Sequence, residues 1–159
     1  MTSPAWPFPT ILHGEAATVA LAETVAAFLR VGDVIGLTGE IGAGKTTFAR
    51  AVIQRLARQA IDVPSPTFTL VQSYPDLTPP IAHFDLYRLG SADDLAELGF
   101  DEAAESSAVL VEWPERAGAA MPEDALIITL DGGGDRRRAT IGGGGSWQHR
   151  LGTFPSTFP

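Results

Sequence analysis

An apolar strand, a glycine-rich loop and a helix follow one another between Val34 and Ala60, and this succession constrains the fold more than any other feature of the chain. Val34–Thr38 (VIGLT) is a short apolar run of the kind found in buried parallel strands. Residues 39–47 read GEIGAGKTT, with Gly39, Gly44, Lys45 and Thr46 in the fixed places of G-x-x-x-x-G-K-[ST]. Thr46 to Ala60 then reads as a helix with apolar positions at Phe48, Val52, Ile53 and Leu56. Such a loop curls successive backbone N–H groups (Gly39, Glu40, Ile41, Gly42, Ala43, Gly44) around phosphate oxygens, at a helix N-terminus whose dipole favours negative charge. The pattern implies a nucleoside triphosphate. Lys45, the single lysine in the chain, is placed to reach the β- and γ-phosphates, the Thr46 hydroxyl to ligate Mg²⁺, and Thr47 to meet the α-phosphate.

The rest of the chain reads as an α/β protein of one P-loop NTPase-type domain, residues 1–159, with a central, mostly parallel sheet flanked by helices and a C-terminal antiparallel hairpin. Phe8–Leu12 is a possible edge strand, and Glu15–Leu29 a helix. Pro64-Ser65-Pro66 precedes an alternating strand, Thr67–Ser73, and Ile81–Leu86 forms another. Ser91–Leu98 reads as a short helix capped by Ser91. Val109–Val111 is a third short strand, and Leu126–Leu130 and Arg138–Ile141 flank a glycine-rich turn. The ends, 1–10 and 152–159, are expected to be flexible.

A hard cation needs an acid besides the Thr46 hydroxyl. Asp85 and Glu112 stand at strand ends and are both candidates, as metal ligand or as the group that orients the attacking water; a helix cap or a surface carboxylate is the plain alternative for each. Thr67 lies where P-loop proteins place a nucleotide-sensing loop, although a rigid proline turn explains it equally well. His83 reads as a sheet residue, Trp113 as core or surface anchor, and Arg136–Arg138 as a solvated hairpin, with a phosphate contact as the alternative. The absence of cysteine excludes thiolate chemistry and Cys-based zinc sites. With no asparagine, the N-K-x-D guanine code is missing. A formal net charge of −8 argues against a broad nucleic-acid-binding face. No apolar run is long enough to span a membrane, so no membrane contact and a cytoplasmic location are expected. A small-molecule kinase with an arginine-bearing lid, and a module that holds ATP without hydrolysing it, stand as rivals to an ATPase.

GEIGAGKTTFAR, VPSPTFTLVQSY, HFDLYRL, ELGFDE and VLVEWPER, in this order, closely resemble the TsaE (YjeE) family, over Glu15 to about Leu130. The family usually has Asp at position 40. The resemblance implies a slow, partner-stimulated ATPase with ATP and Mg²⁺ as cofactors. It implies action with the TsaB–TsaD pair, chiefly through TsaD, in making threonylcarbamoyladenosine at tRNA position 37, with only indirect or weak contact to tRNA. It further implies that Thr46 and Glu112 ligate Mg²⁺, that Asp85 is a switch or Walker-B-like acid, that Lys45, Asp85 and Glu112 carry catalysis, and that Thr67 and Trp113 border the nucleotide. Glu15 and Thr18 of the first helix, Glu115, and a C-terminal basic residue, Arg138, are implied as further nucleotide contacts.

Overall fold

VIGLT, IAHFD and AVLVE carry so few polar side chains that only a strand covered on both faces suits them. They become the centre of the sheet in the computed structural model, which describes residues 6–152 and 157–158. Among the described residues, the strands are β1 (Phe8–His13), β2 (Val34–Thr38), β3 (Val71–Tyr74), β4 (Ile81–Asp85), β5 (Ala108–Glu112), β6 (Leu126–Gly133), β7 (Arg136–Gly143) and β8 (Thr157–Phe158). They form one sheet in the order β3-β4-β5-β2-β6-β7-β1-β8. The four central strands, β4, β5, β2 and β6, run parallel, whereas β3 joins β4 and β7 joins β6 and β1 in antiparallel fashion. The helices are α1 (Glu15–Ala26), α2 (Lys45–Ala57), α3 (Asp94–Glu97), α4 (Phe100–Ser106) and α5 (Trp147–Leu151), with a 3-10 segment at Pro114–Ala120.

Side-chain alternation sorts the sheet into two cores. Ile35, Leu37, Ile81, Ala108, Leu110, Leu126 and Ile128 face α1 and α2 and join Leu21, Val25, Phe48, Val52 and Ile53. Val34, Ala82, Phe84, Val109 and Val111 face the other way, toward Leu95, Phe100 and Ala117. Burying a side chain such as Phe48 or Ile53, each fully enclosed, stabilises by about 1.5–3 kcal/mol, so α2 is anchored firmly behind the loop it follows. His83 and Asp85 stand two and four residues after Ile81, and Glu112 two after Leu110. The alternation therefore turns all three toward the α2 side, with Asp85 opposite Glu112 in register.

Several sequence expectations need correction. Thr67–Leu70 is a turn and not strand: the Leu70 N–H donates to the Pro66 carbonyl at 2.7 Å, Leu70 sits at φ 69°, and Phe68 is 81% exposed. The strand expected over Thr67–Ser73 therefore begins only at Val71. The helix near Ser91 is shorter than expected, and its start is fixed by Asp94, whose carboxylate accepts the Ser91 N–H at 3.1 Å. The first helix ends at Ala26 and the second at Ala57, where Arg58 turns left-handed. Within the ends expected to be flexible, Phe8–Thr10 and Thr157–Phe158 lie in strands. β1 is no edge: it lies between β7 and β8, and β8 buries Phe158. Residues 1–5, 153–156 and 159, also read as flexible ends, lie outside the described residues.

Candidate functional site

The loop after β2 takes its shape from glycines. At Gly39 the backbone sits at φ 144°, and a β-carbon there would run into the Leu130 carbonyl oxygen, which belongs to a paired strand and cannot give way. At Gly44, φ is 110° and the position abuts the Arg137 guanidinium. Gly39→Ala should therefore cost about 2–4 kcal/mol through steric overlap and backbone strain. Thermal unfolding of the unliganded protein checks this, and an unchanged midpoint would show that the loop does not need glycine there.

Gly44 ends the loop and α2 begins at Lys45, so its first residues face the C-terminal ends of β4 and β5. The Thr46 hydroxyl donates to Glu112 Oε1 at 2.7 Å. Lys45 Nζ donates to the carbonyls of Gly39 (2.6 Å) and Glu40 (2.7 Å) and lies 4.3 Å from the centroid of the Trp113 ring. Burial pushes the Lys45 ammonium below its ordinary range, with Glu112, Glu115, Asp85 and Glu40 pulling it back up. Trp113 follows β5 at φ 59°, rare for a bulky residue and the kind of local strain that functional sites store. Its ring also meets Tyr87, with centroids 5.0 Å apart. Asp85 is buried and held from two sides: Oδ1 accepts the Tyr87 N–H at 3.1 Å and Oδ2 the Thr67 hydroxyl at 3.2 Å. Thr67 in turn shares a 2.7 Å hydrogen bond with Ser65.

A cleft of about 340 Å³ results, lined by Ile41, Gly42, Gly44, Lys45, Thr46, Thr47, Thr67, Asp85, Glu112 and Trp113, and also by Tyr87 and Arg137. Gly39, Glu40 and Ala43 form the remainder of the loop around it. Of the first-helix residues, Glu15 is exposed on the first turn of α1, and Thr18 is buried behind Gly44. Glu115 is exposed just beyond Trp113. From the arginine run it is Arg137 that reaches the loop, donating from Nη1 to the Ala43 carbonyl at 3.0 Å; Arg138 is exposed on the opposite face of β7. Neither His83 nor Tyr87 stands out in the sequence as a site residue, and Arg137 does so only as part of the Arg136–Arg138 run. For His83 the signal was available, because two residues along a strand from Asp85 is the same face.

Oxygen donors alone (Thr46, Asp85, Glu112) line the wall facing Lys45, which suits a hard cation such as Mg²⁺. Among the described residues no group of three His, Cys, Asp or Glu side chains could hold a metal unaided. A larger open groove of about 1240 Å³ lies at the far end of α2, between Arg55, Arg58 and Tyr74. It is larger but has no buried carboxylate, so chemistry points to the smaller cleft. Among the described residues no helix is long and apolar enough to cross a membrane.

Fold and cleft together define a mixed α/β protein whose central parallel strands end in paired buried carboxylates beneath a glycine-rich loop. Residues 12–140 match the family described as threonylcarbamoyl adenosine biosynthesis protein TsaE, and the chain belongs to that family. Relatives named tRNA threonylcarbamoyladenosine biosynthesis protein TsaE include one from Bacillus subtilis, 40% identical over 122 residues, 76% of this chain and 75% of that protein. Another, from Rickettsia felis, is 42% identical over 105 residues, 66% of this chain and 61% of the relative's own length. The crystal structure of YdiB from Bacillus subtilis superposes with a TM-score of 0.73 at 32% identity, covering 91% of this chain and 90% of that one.

Proposed function

We propose that this chain is a P-loop ATPase that binds ATP with Mg²⁺ in the cleft, hydrolyses it slowly, and supports threonylcarbamoylation of adenosine 37 in tRNA together with a TsaB–TsaD pair. The observation that carries this reading is the 2.7 Å hydrogen bond from Thr46 to the buried Glu112, formed directly below the loop and beside Lys45. Because the hydroxyl spends its hydrogen on Glu112, its lone pairs are free for a cation. Thr46 and Glu112, with Asp85 nearby, would hold Mg²⁺, which when bound neutralises charge on the phosphate oxygens. Lys45 supplies a second positive charge, in a setting where burial strengthens its attraction for phosphate. Asp85, linked to Thr67, connects the metal wall to the 65–70 turn, so that turn is suited to sensing the γ-phosphate.

Family membership supports the tRNA-modification setting, and the net charge of −8 favours reaching tRNA through a partner over direct binding. The kinase alternative loses ground because Arg136–Arg138 lie on β7, paired on both sides within the sheet, where they cannot serve as a lid. Phosphate release measured with and without purified TsaB–TsaD tests the proposal, and clear stimulation by the pair is expected. Absence of stimulation, together with phosphate transfer to a small acceptor, would overturn it in favour of a kinase.

A further inference from the structure

His83 is fully buried in β4, yet it is neither apolar filler nor a member of the cleft lining. Its Nε2 lies 2.7 Å from Glu112 Oε2, while Glu112 Oε1 accepts the Thr46 hydroxyl at the same distance. The carboxylate is thus gripped at both oxygens, from the cleft side by α2 and from inside the sheet by β4. Nδ1 of His83 has no hydrogen-bond partner. With the proton on Nε2, the ring donates to Glu112 and leaves only an acceptor unpaired. With the proton on Nδ1, a buried donor would be stranded and the Nε2 lone pair would face carboxylate oxygen. Of the two neutral tautomers, the Nε2–H form is the one this environment selects.

We propose that His83 is a positioning residue for the cation site. Donating from Nε2, it fixes the rotation of the Glu112 carboxylate, so that Oε1 keeps the Thr46 hydroxyl hydrogen turned toward it and the Thr46 lone pairs face the cleft. This rests on the ATP and Mg²⁺ reading given above. Partners that orient a ligand from behind usually account for about 10–100-fold in metal affinity or activity. The position in the sheet sets the geometry: His83 and Glu112 are on the same face of adjacent parallel strands, offset by two residues, so a side chain of this length spans the gap.

Three variants test it. His83→Leu removes the donor. His83→Asn places an amide nitrogen near the former Nδ1, away from Glu112. His83→Gln carries one near the former Nε2. Binding of a fluorescent ATP analogue is titrated with and without Mg²⁺, alongside thermal unfolding. For His83→Leu and His83→Asn, metal-free analogue binding should stay within about twofold of wild type, while the Mg²⁺ concentration needed for half-maximal effect rises about 10–100-fold. His83→Gln should recover most of that loss. In the metal-free wild-type protein, long-range ¹⁵N–¹H correlation should find the His83 proton on Nε2. Unchanged Mg²⁺ dependence in the Leu and Asn variants, equal losses in all three, or a proton on Nδ1 with none on Nε2 would overturn the proposal. If His83→Leu fails to fold, the Asn and Gln pair decides alone. A wild-type protein showing no Mg²⁺-dependent ATP binding would overturn the underlying ATP reading, and this proposal with it.

Discussion

Lys45→Ala is expected to lower ATP affinity by about 100-fold or more while leaving the unliganded protein at least as stable as wild type. The first half follows from what the ammonium does: it is 5% exposed, bonded to the Gly39 and Glu40 carbonyls and stacked on Trp113. Those carbonyls are loop atoms that water can reach once the side chain is gone, so a bound triphosphate would be the partner that suffers. A charge-assisted hydrogen bond contributes about 1.5–3 kcal/mol, and a 100-fold loss corresponds to about 2.7 kcal/mol. The second half follows from burial. It pushes the Lys45 pKa below its ordinary 10.5, so the unfolded chain holds that proton more tightly than the folded one. Below the folded pKa the charged lysine is then a net cost to folding, and the cost disappears as pH rises through the folded pKa toward the unfolded value. Stability of wild type relative to Lys45→Ala should accordingly increase as the medium becomes alkaline. Analogue-binding titrations and thermal unfolding across pH check both parts. An ATP affinity within a few-fold of wild type would remove Lys45 from the phosphate site.

The central fold and the loop were legible because each depends on local chemistry. VIGLT followed by GEIGAGKTT encodes a buried strand, positive-φ turns and a helix start within fourteen residues, Val34 to Thr47, and the structure keeps that order. Asp85 and Glu112 were legible as strand-end acids, since an apolar run that stops at a carboxylate marks the rim of a parallel sheet. What failed was non-local. TFTL alternates like a strand, but pairing begins only at Val71, because Leu70 turns back onto Pro66 and leaves Phe68 in solvent. Thr157 and Phe158 carry no readable period of their own, and their strand pairing depends on β1. The arginine run could not be resolved from composition, since strand alternation decides that Arg137 faces the loop and Arg138 does not. In sequence His83 looks like an ordinary sheet residue, because its surroundings depend on the register between β4 and β5, which a single sequence does not state.

Glu112→Gln should preserve the fold but reduce Mg²⁺-dependent turnover by about 10–100-fold. The amide is nearly isosteric with the carboxylate, and its orientation is dictated by its neighbours. Its NH₂ cannot face the His83 Nε2–H, where two donors would meet, so the amide oxygen takes that bond and the NH₂ turns to Thr46. There it donates to Oγ1 and occupies a lone pair that the proposal assigns to the cation. Glu112→Ala is a different experiment. It strands the buried Nε2–H of His83, at about 1–3 kcal/mol, and leaves the half-buried Thr46 hydroxyl to water, so it should lower the unfolding temperature visibly. The Gln variant therefore separates chemistry from folding where the Ala variant mixes them. Comparing its ATP affinity with its phosphate release goes further: a much greater loss of turnover means that Glu112 serves the transition state, and equal losses mean that it mainly holds the metal. Turnover at the wild-type level, with wild-type Mg²⁺ dependence, would take Glu112 out of the site and leave Asp85 as its only acid.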